Sequence, residues 1–381
     1  MKNIIIYFQI LLLTISYNLF RIFIKKDKKK HWVIGVNEIA SNIYFLGNVL
    51  KPSKTINFSK NKFYNLNYDY YYDVSNKLKY FFWIIYSPIL FGYLTSKYNK
   101  FWYIWNTGFL VNRNFEFKFL KYKNKKIVCM FVGDDIRSIK LTRKFAKDNN
   151  IDIFANYYGN QKMFFLSDKY DLQKKEIALT ADNYADVIFN HKVCQISYLK
   201  SNQYSWPYMY DKYKFYKDNT KFIDIITIKI VHAPTNPINK GTQLVRAAIK
   251  KLELENYDIN YIEIQDMPNK IVLEHLRSAH IVLNQFYAFT PGLFGIEAMA
   301  NHCAVLMSAN PDIEKGLPKE GINAWMITNY WQIYDNLKVL LDNPTKIKYY
   351  ADNGYSFAYK YYTFESARNY IKKVLNENGI N

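Results

Sequence analysis

Two loops of this sequence carry residue types that could hold a phosphate. In His232-Ala233-Pro234-Thr235-Asn236-Pro237-Ile238-Asn239-Lys240-Gly241-Thr242 a single lysine stands immediately before an amphipathic stretch. An anion there would meet an ammonium, free backbone N–H groups and the positive end of a helix dipole. A second loop, Ala288-Phe289-Thr290-Pro291-Gly292-Leu293-Phe294, runs into Gly295-Ile296-Glu297-Ala298-Met299-Ala300. Thr290 suits a helix cap, Pro291 a first turn, and Gly292 the close approach of an anion to the backbone. Glu297 follows about one turn into the helix, where a carboxylate can accept hydrogen bonds from a pair of ribose hydroxyls, as the acidic residue of a dinucleotide fold does. Taken singly, the loops read as a solvated lysine beside a turn glycine and as a carboxylate answering a helix dipole. Taken together, a nucleotide diphosphate is the more economical account.

Other candidates are weaker. Asp134 and Asp135 close an apolar run and are adjacent, so they point in different directions; one suits a sugar hydroxyl and the other a cap better than an acid/base pair. Asn37 and Glu38 either line a cleft or begin a helix. His232 is a sugar contact or a satisfied loop histidine. No G-x-S-x-G elbow announces a nucleophile, and the six histidines show no H-x-x-x-H or H-E-x-x-H spacing, so no metal site is expected. Cys129, Cys194 and Cys303 lack C-x-x-C spacing and fit a reducing compartment.

The elements that must carry these loops follow from periodicity. Apolar runs predict strands over His31–Val36, Lys126–Val132, Asp186–Phe189, Ile223–Val231, Tyr261–Ile264, Ile281–Phe286 and Ala304–Ser308. Helices are expected over Glu38–Leu50, Thr242–Leu252, Asn269–Ser278 and Gly292–Ala300. The alternation implies an α/β fold of parallel sheets with crossover helices, and 381 residues exceed what one core serves well. The expected division is a segment 1–30, a first domain 31–210, a linker 211–221 at the end of the polar, Tyr-rich stretch Ser201–Thr220, and a second domain 222–381. In doubly wound sheets ligands sit beyond the carboxyl ends of the strands, which singles out the loops 232–241, 265–269 and 287–292.

Charge and apolarity are concentrated at the start. Residues 1–150 hold 26 Lys and Arg against 8 Asp and Glu, whereas the remainder holds 26 against 24. A basic half can face nucleic acid or an anionic membrane surface. The run Ile4–Phe20, followed by Arg21, Lys25, Lys26, Lys28, Lys29 and Lys30, favours the membrane. It has about the minimum length of a span, and the lysines place the body in the cytoplasm whether it spans or lies flat. The plainer reading is a buried first element of the domain. A second apolar stretch, Tyr80–Tyr93, contains Pro88 and reads as a core or interfacial helix.

Lys240-Gly241-Thr242 before a helix, and Gly295-Ile296-Glu297-Ala298-Met299-Ala300 before a strand, resemble the donor-binding half of GT-B glycosyltransferases, in particular glycosyltransferase family 4. The resemblance spans roughly residues 223–375. It implies a GT-B fold, two Rossmann-like domains facing across a cleft, and a retaining transferase that takes its sugar from a nucleotide diphosphate sugar without a metal or other cofactor. By that likeness Lys240 holds the diphosphate, Gly292, Leu293 and Phe294 offer backbone N–H groups to it, and Glu297 binds the ribose. Thr235, Asn236, Gly241 and Met267 complete the donor site, with Gln265–Pro268 bordering the base. Gly133-Asp134-Asp135-Ile136-Arg137 resembles the family's His-Gly-Ser-Asp-Ile-Arg segment beside the transferred sugar, which adds Asp135 to Lys240 and Glu297 as the expected catalytic set. The family's glycine-rich turn appears here as Val36-Asn37-Glu38-Ile39-Ala40-Ser41, its E-x7-E pair keeps only Glu297 because Phe289 stands at the first position, and its diphosphate-binding arginine is absent from the Lys240 loop. Expected partners are a nucleotide sugar, a lipid-linked saccharide acceptor and the anionic inner surface of a bacterial inner membrane, in surface polysaccharide assembly; nucleic acid is not expected. The competing readings are a basic nucleic-acid-binding protein and a catalytically silent GT-B scaffold.

Overall fold

A computed structural model describes residues 2–28, 30–60, 66–153, 156–157 and 162–380; Lys29 of the basic cluster lies outside them. The first half contains α1 (Lys2–Phe23), β1 (Trp32–Val36), α2 (Asn42–Val49), β2 (Ser53–Asn57), β3 (Tyr70–Tyr71), α3 (Lys77–Lys97), β4 (Lys100–Ile104), α4 (Arg113–Tyr122), β5 (Lys126–Met130), α5 (Ile139–Asp148), α6 (Asp168–Tyr184) and β6 (Val187–Phe189). Its parallel sheet has the order β3-β2-β1-β4-β5-β6. Strand β1 is buried along its whole length, as the unbroken apolar run Trp32-Val33-Ile34-Gly35-Val36 requires of a central strand covered on both faces.

The second half contains β7 (Ile228–His232), α7 (Pro237–Lys240), α8 (Thr242–Leu254), β8 (Ile259–Glu263), α9 (Asn269–Ser278), β9 (Ile281–Leu283), α10 (Gly292–Ala300), β10 (Ala304–Met307), α11 (Gly321–Ala324), β11 (Met326–Ile327), α12 (Ile333–Leu341), α13 (Pro344–Tyr362) and α14 (Phe364–Glu377). Its sheet, also parallel, has the order β11-β10-β9-β7-β8. Each sheet therefore reverses direction once, at β1/β4 and at β7/β9, and such a switch point opens a crevice at the carboxyl ends of the two strands.

The strand expected over Ile223–Val231 begins only at Ile228. Ile223 and Ile226 are exposed, and a 3-10 turn over Thr220–Phe222 ends the connection, so apolar composition alone overextended it. That connection is no free tether either. Tyr208, Met209 and Tyr210 are buried, and Tyr210 runs beside the chain's return, its N–H bonding Tyr362 O at 2.7 Å while Phe364 N–H bonds Tyr210 O at 3.2 Å. Beyond that return, α14 leaves the second sheet and lays Ala367, Ile371, Val374 and Leu375 against Trp32, Ile34 and Phe45 of the first. The domain division drawn from sequence, 222–381 as one unit, does not anticipate this crossing back.

Two buried carboxylates fasten the halves and their loops. Glu314, from the segment after β10, accepts the N–H groups of Lys192, Val193 and Cys194 at 3.1, 2.9 and 2.9 Å. Glu116 of α4 accepts the N–H groups of Phe109 and Leu110 at 3.1 and 2.8 Å and the Tyr103 hydroxyl.

Candidate active site

Both switch points open onto one cavity of about 530 Å³, a size suited to a small ligand. From the first half it is lined by Glu38, Ile39, Ala40 and Lys60; from the second, by Thr235 and Lys240 after β7, Asp266, Met267 and Asn269 after β8, and Leu293, Phe294 and Glu297 of α10. The sequence-derived residues Thr235, Lys240, Met267, Leu293, Phe294 and Glu297 are thus brought to a common wall. Asn236, Gly241 and Gly292 stand behind it as shapers of the backbone. Asn236 caps α7, its side chain accepting Ile238 and Asn239 N–H at 3.2 Å each. Gly241 takes a φ of +75°, a left-handed conformation that breaks α7 from α8 just after Lys240 and is cheap only for glycine.

Lys240 is held by a residue the sequence reading did not single out. Its ammonium donates to Gln285 Oε1, and Gln285 Nε2 donates in turn to Thr290 O. Gln285 therefore ties the lysine of one loop to the turn that leads into α10. Neighbouring Asn284 donates to Pro291 O at 2.7 Å. Both residues extend just past β9, where an apolar strand gives way to amides; that change was the available signal. Burial lowers the Lys240 pKa to about 8.

The start of α10 differs from expectation in a useful way. Thr290 does not cap it, because the helix has no side-chain cap and the Thr290 carbonyl is occupied by Gln285. Gly292, with φ +63°, donates its N–H to the Tyr208 hydroxyl at 3.3 Å. Helix α8 likewise starts without a side-chain cap. The start of α10 and the Lys240 ammonium thus meet on one wall, which is the electrostatics an anion needs.

Glu297 is 4 % exposed, and burial raises its pKa to about 7. Asn269 donates to its Oε1 at 2.9 Å. Among the described residues this is its one hydrogen bond, sparse support for a buried carboxylate that lines the cavity. Glu38 also has its pKa raised by burial to about 7, yet it is saturated: Ile43 N–H, Tyr44 N–H and the Tyr68 hydroxyl donate to it at 3.0, 3.1 and 3.0 Å. It caps α2 while lining the cavity, so both readings of that residue hold. Lys60 reaches the cavity from the loop after β2, where its sequence surroundings gave no sign of it.

Asp135 does not line the cavity. It is fully buried, and its carboxylate accepts Val132 N–H at 3.1 Å and Gly133 N–H at 2.8 Å, closing its own turn; burial raises its pKa to about 6. Asp134 is engaged by Arg137. Asp135, expected in the catalytic set, thus closes its own turn and stands apart from the wall that carries Lys240 and Glu297. His232 is likewise enclosed, with Nδ1 against Leu283 O at 2.7 Å and Nε2 against Thr242 Oγ1 at 2.8 Å, and burial takes its pKa down to about 4. It spans β7, β9 and α8 as a satisfied core histidine. Gln265 turns back to Glu263, leaving Asp266 and Met267 on the wall.

Two parallel doubly wound domains, a cleft between their switch points and a final helix that crosses back define the GT-B fold. Solved structures agree: a sucrose-phosphate synthase from Thermosynechococcus elongatus aligns over 91% of this chain and 98% of its own at 12% identity and a TM-score of 0.57. WaaG, a glycosyltransferase involved in lipopolysaccharide biosynthesis, aligns over 89% of this chain and 99% of its own at 10% identity and a TM-score of 0.51. No family model matches the chain, and no curated protein matches it by sequence.

Proposed function

We propose that the protein is a retaining glycosyltransferase that moves a sugar from a nucleotide diphosphate sugar to a lipid-linked saccharide acceptor at the cytoplasmic face of a bacterial inner membrane, in surface polysaccharide assembly. The observation that carries this reading is the meeting of Lys240, the uncapped start of α10 and the under-bonded Glu297 on one wall of the interdomain cavity. A diphosphate satisfies the first two, and a ribose diol the third.

In the reaction, the anomeric C–O bond breaks as positive charge grows on the sugar and negative charge on the departing diphosphate. Lys240 and the N–H groups of Leu293 and Phe294 stabilise that negative charge, and they do so strongly because the cavity wall is largely apolar. Gln285 keeps the ammonium aimed. Glu297 fixes the nucleoside end and thereby the sugar. Among the chain's own carboxylates, Glu38 and Asp135 are consumed by backbone donors, which fits a scheme in which the leaving phosphate oxygen takes the acceptor proton. At the position of the family's first acidic residue, Phe289 is buried against Cys194 between the halves, so the donor sugar loses a contact there.

The test is a thermal-shift survey of nucleotide diphosphate sugars, followed by transfer assays on the stabilising donor. Lys240→Ala and Glu297→Gln should abolish both stabilisation and transfer with the fold intact. Absence of stabilisation by every such donor at millimolar concentration would defeat the proposal.

A further inference from the structure

Helix α1 has the length and apolarity of a span, yet it is packed along α3. Gln9 Nε2 donates to Ile84 O at 3.3 Å, and Gln9 Oε1 accepts Val111 N–H at 2.9 Å. Ser16 lies so close to Gly92 that a β-carbon there would sit 2.2 Å from its Oγ. Further along, the rings of Phe20 and Tyr93 meet at 5.6 Å, and those of Tyr17 and Phe119 at 5.4 Å. Residues 9, 16 and 20 thus meet 84, 92 and 93 in increasing order, so the helices run parallel. The far side of α3 places Phe91 and Leu94 in the core of the first domain.

At about 100° per residue, the buried Gln9, Leu13, Ser16 and Tyr17 occupy an arc of roughly 100°. The exposed Ile4, Phe8, Leu11, Ile15, Leu19 and Ile22 fall in an arc of roughly 80° on the other side. On α3, Leu78, Phe81, Phe82, Tyr86 and Ile89 form a second exposed apolar stripe, with Phe81 57 % and Phe82 52 % accessible. Two adjacent helices each present such a stripe to solvent, far beyond scattered surface hydrophobes. Cations gather at the end of α1: Arg21 sits in its last turn, Lys25, Lys26 and Lys28 follow it, and Lys123 stands 4.6 Å over the Tyr17 ring.

We infer that α1 and α3 together form a monotopic docking surface for an anionic lipid bilayer, with both stripes in the acyl boundary and the flanking lysines among headgroups. A span is disfavoured by the packing. Crossing the bilayer would either drag α3 and its domain into hydrocarbon or strip Gln9 and Ser16 of their partners and expose them to lipid. Lying flat costs neither, and the excess of cations in residues 1–150 supplies the attraction. This inference stands whether or not the cavity holds a nucleotide sugar.

The experiment uses the full chain with phosphatidylcholine vesicles, with and without phosphatidylglycerol, in a sedimentation assay. Binding should require the anionic lipid and fall with salt. Phe81→Asp with Phe82→Asp, and separately Leu11→Asp with Ile15→Asp, should each cut the bound fraction at least about tenfold; all four positions are solvent-facing, and melting curves verify the fold. Alkaline carbonate should release the protein from cell membranes. The inference is overturned by wild-type binding of the α3 pair, by equal binding to neutral vesicles, or by retention in carbonate. It is equally overturned if light scattering shows a dimer that the α1 pair dissociates without loss of vesicle binding.

Discussion

On the proposed function, Glu297 is a carboxylate kept for a ligand at a cost in stability, and that cost can be measured. Its pKa moves from 4.5 to about 7 because it is buried, with Asn269 its single neutral donor among the described residues. A raised folded-state pKa means that folding favours the protonated form. The stabilisation is therefore whole below about pH 4.5 and lost as pH rises through about 7. About 2.5 pH units at 1.36 kcal/mol each gives about 3 kcal/mol of destabilisation by pH 8. Glu297→Gln keeps the acceptor facing Asn269 and removes the titration. It should match the wild type at pH 4.5 and exceed it by about 3 kcal/mol at pH 8, or about 4 °C in melting temperature if the chain unfolds as one unit. The same variant should bind no donor. Thermal melts of both proteins from pH 4.5 to 8, without and with the donor found by the survey, read the two effects together. A variant less stable than wild type at pH 8, or a difference that ignores pH, would refute the assignment of Glu297 as an under-satisfied ligand group.

Lys240→Ala should weaken donor binding about 100-fold or more, since a desolvated ammonium–phosphate contact is lost, as calorimetry would show. Donor affinity should peak between about pH 7 and 8, where Glu297 is ionised and Lys240 still protonated, with the alkaline limb broadened because a bound diphosphate holds the lysine's proton; a flat profile over pH 6–9 would contradict this. Glu116→Gln, by contrast with Glu297→Gln, should destabilise at pH 8 by roughly 1–3 kcal/mol in urea melts, because an amide cannot accept from Phe109, Leu110 and Tyr103 with both of its heavy atoms. Ala40→Gly should stabilise by about 1 kcal/mol in the same melts, since Ala40 holds a φ of +50°.

The C-terminal loops were legible in the sequence because their information is local. A strand, a polar turn and an amphipathic helix follow one another within about a dozen residues around Lys240 and again around Glu297, and each turn carries its own glycine. What escaped reading depends on partners distant in sequence. Gln285 holds Lys240 from 45 residues away, Lys60 enters the cavity from the other domain, and α14 packs on a sheet more than 300 residues earlier in the chain. The helix α1 was ambiguous for a related reason. Four polar interruptions in an apolar run fit a poor span or a buried element, and only the fold shows Gln9 and Ser16 facing α3 while an apolar stripe faces outward. Ala40 and Ser41 hold left-handed backbone without the glycine that makes it cheap, so composition gave no sign of the turn.

Burial alone does not separate a working carboxylate from a structural one here. Glu38, Glu116, Asp135 and Glu297 are all nearly inaccessible, and burial raises the pKa of each, to about 6 for Asp135 and about 7 for the others. The hydrogen-bond inventory does separate them. Glu38 has three donors, Glu116 three, and Asp135 closes its turn on two backbone N–H groups. Among the described residues Glu297 has one side-chain amide. Three of the four are already spending their acceptor capacity on the fold, which is why each sits at a loop or helix start that needs closing. The fourth stands on an interior helical turn whose backbone is satisfied without it, beside the cavity and within reach of the loop that bears Lys240. A folding requirement does not account for an ionisable group there, and the proposed ligand role of Glu297 rests on that.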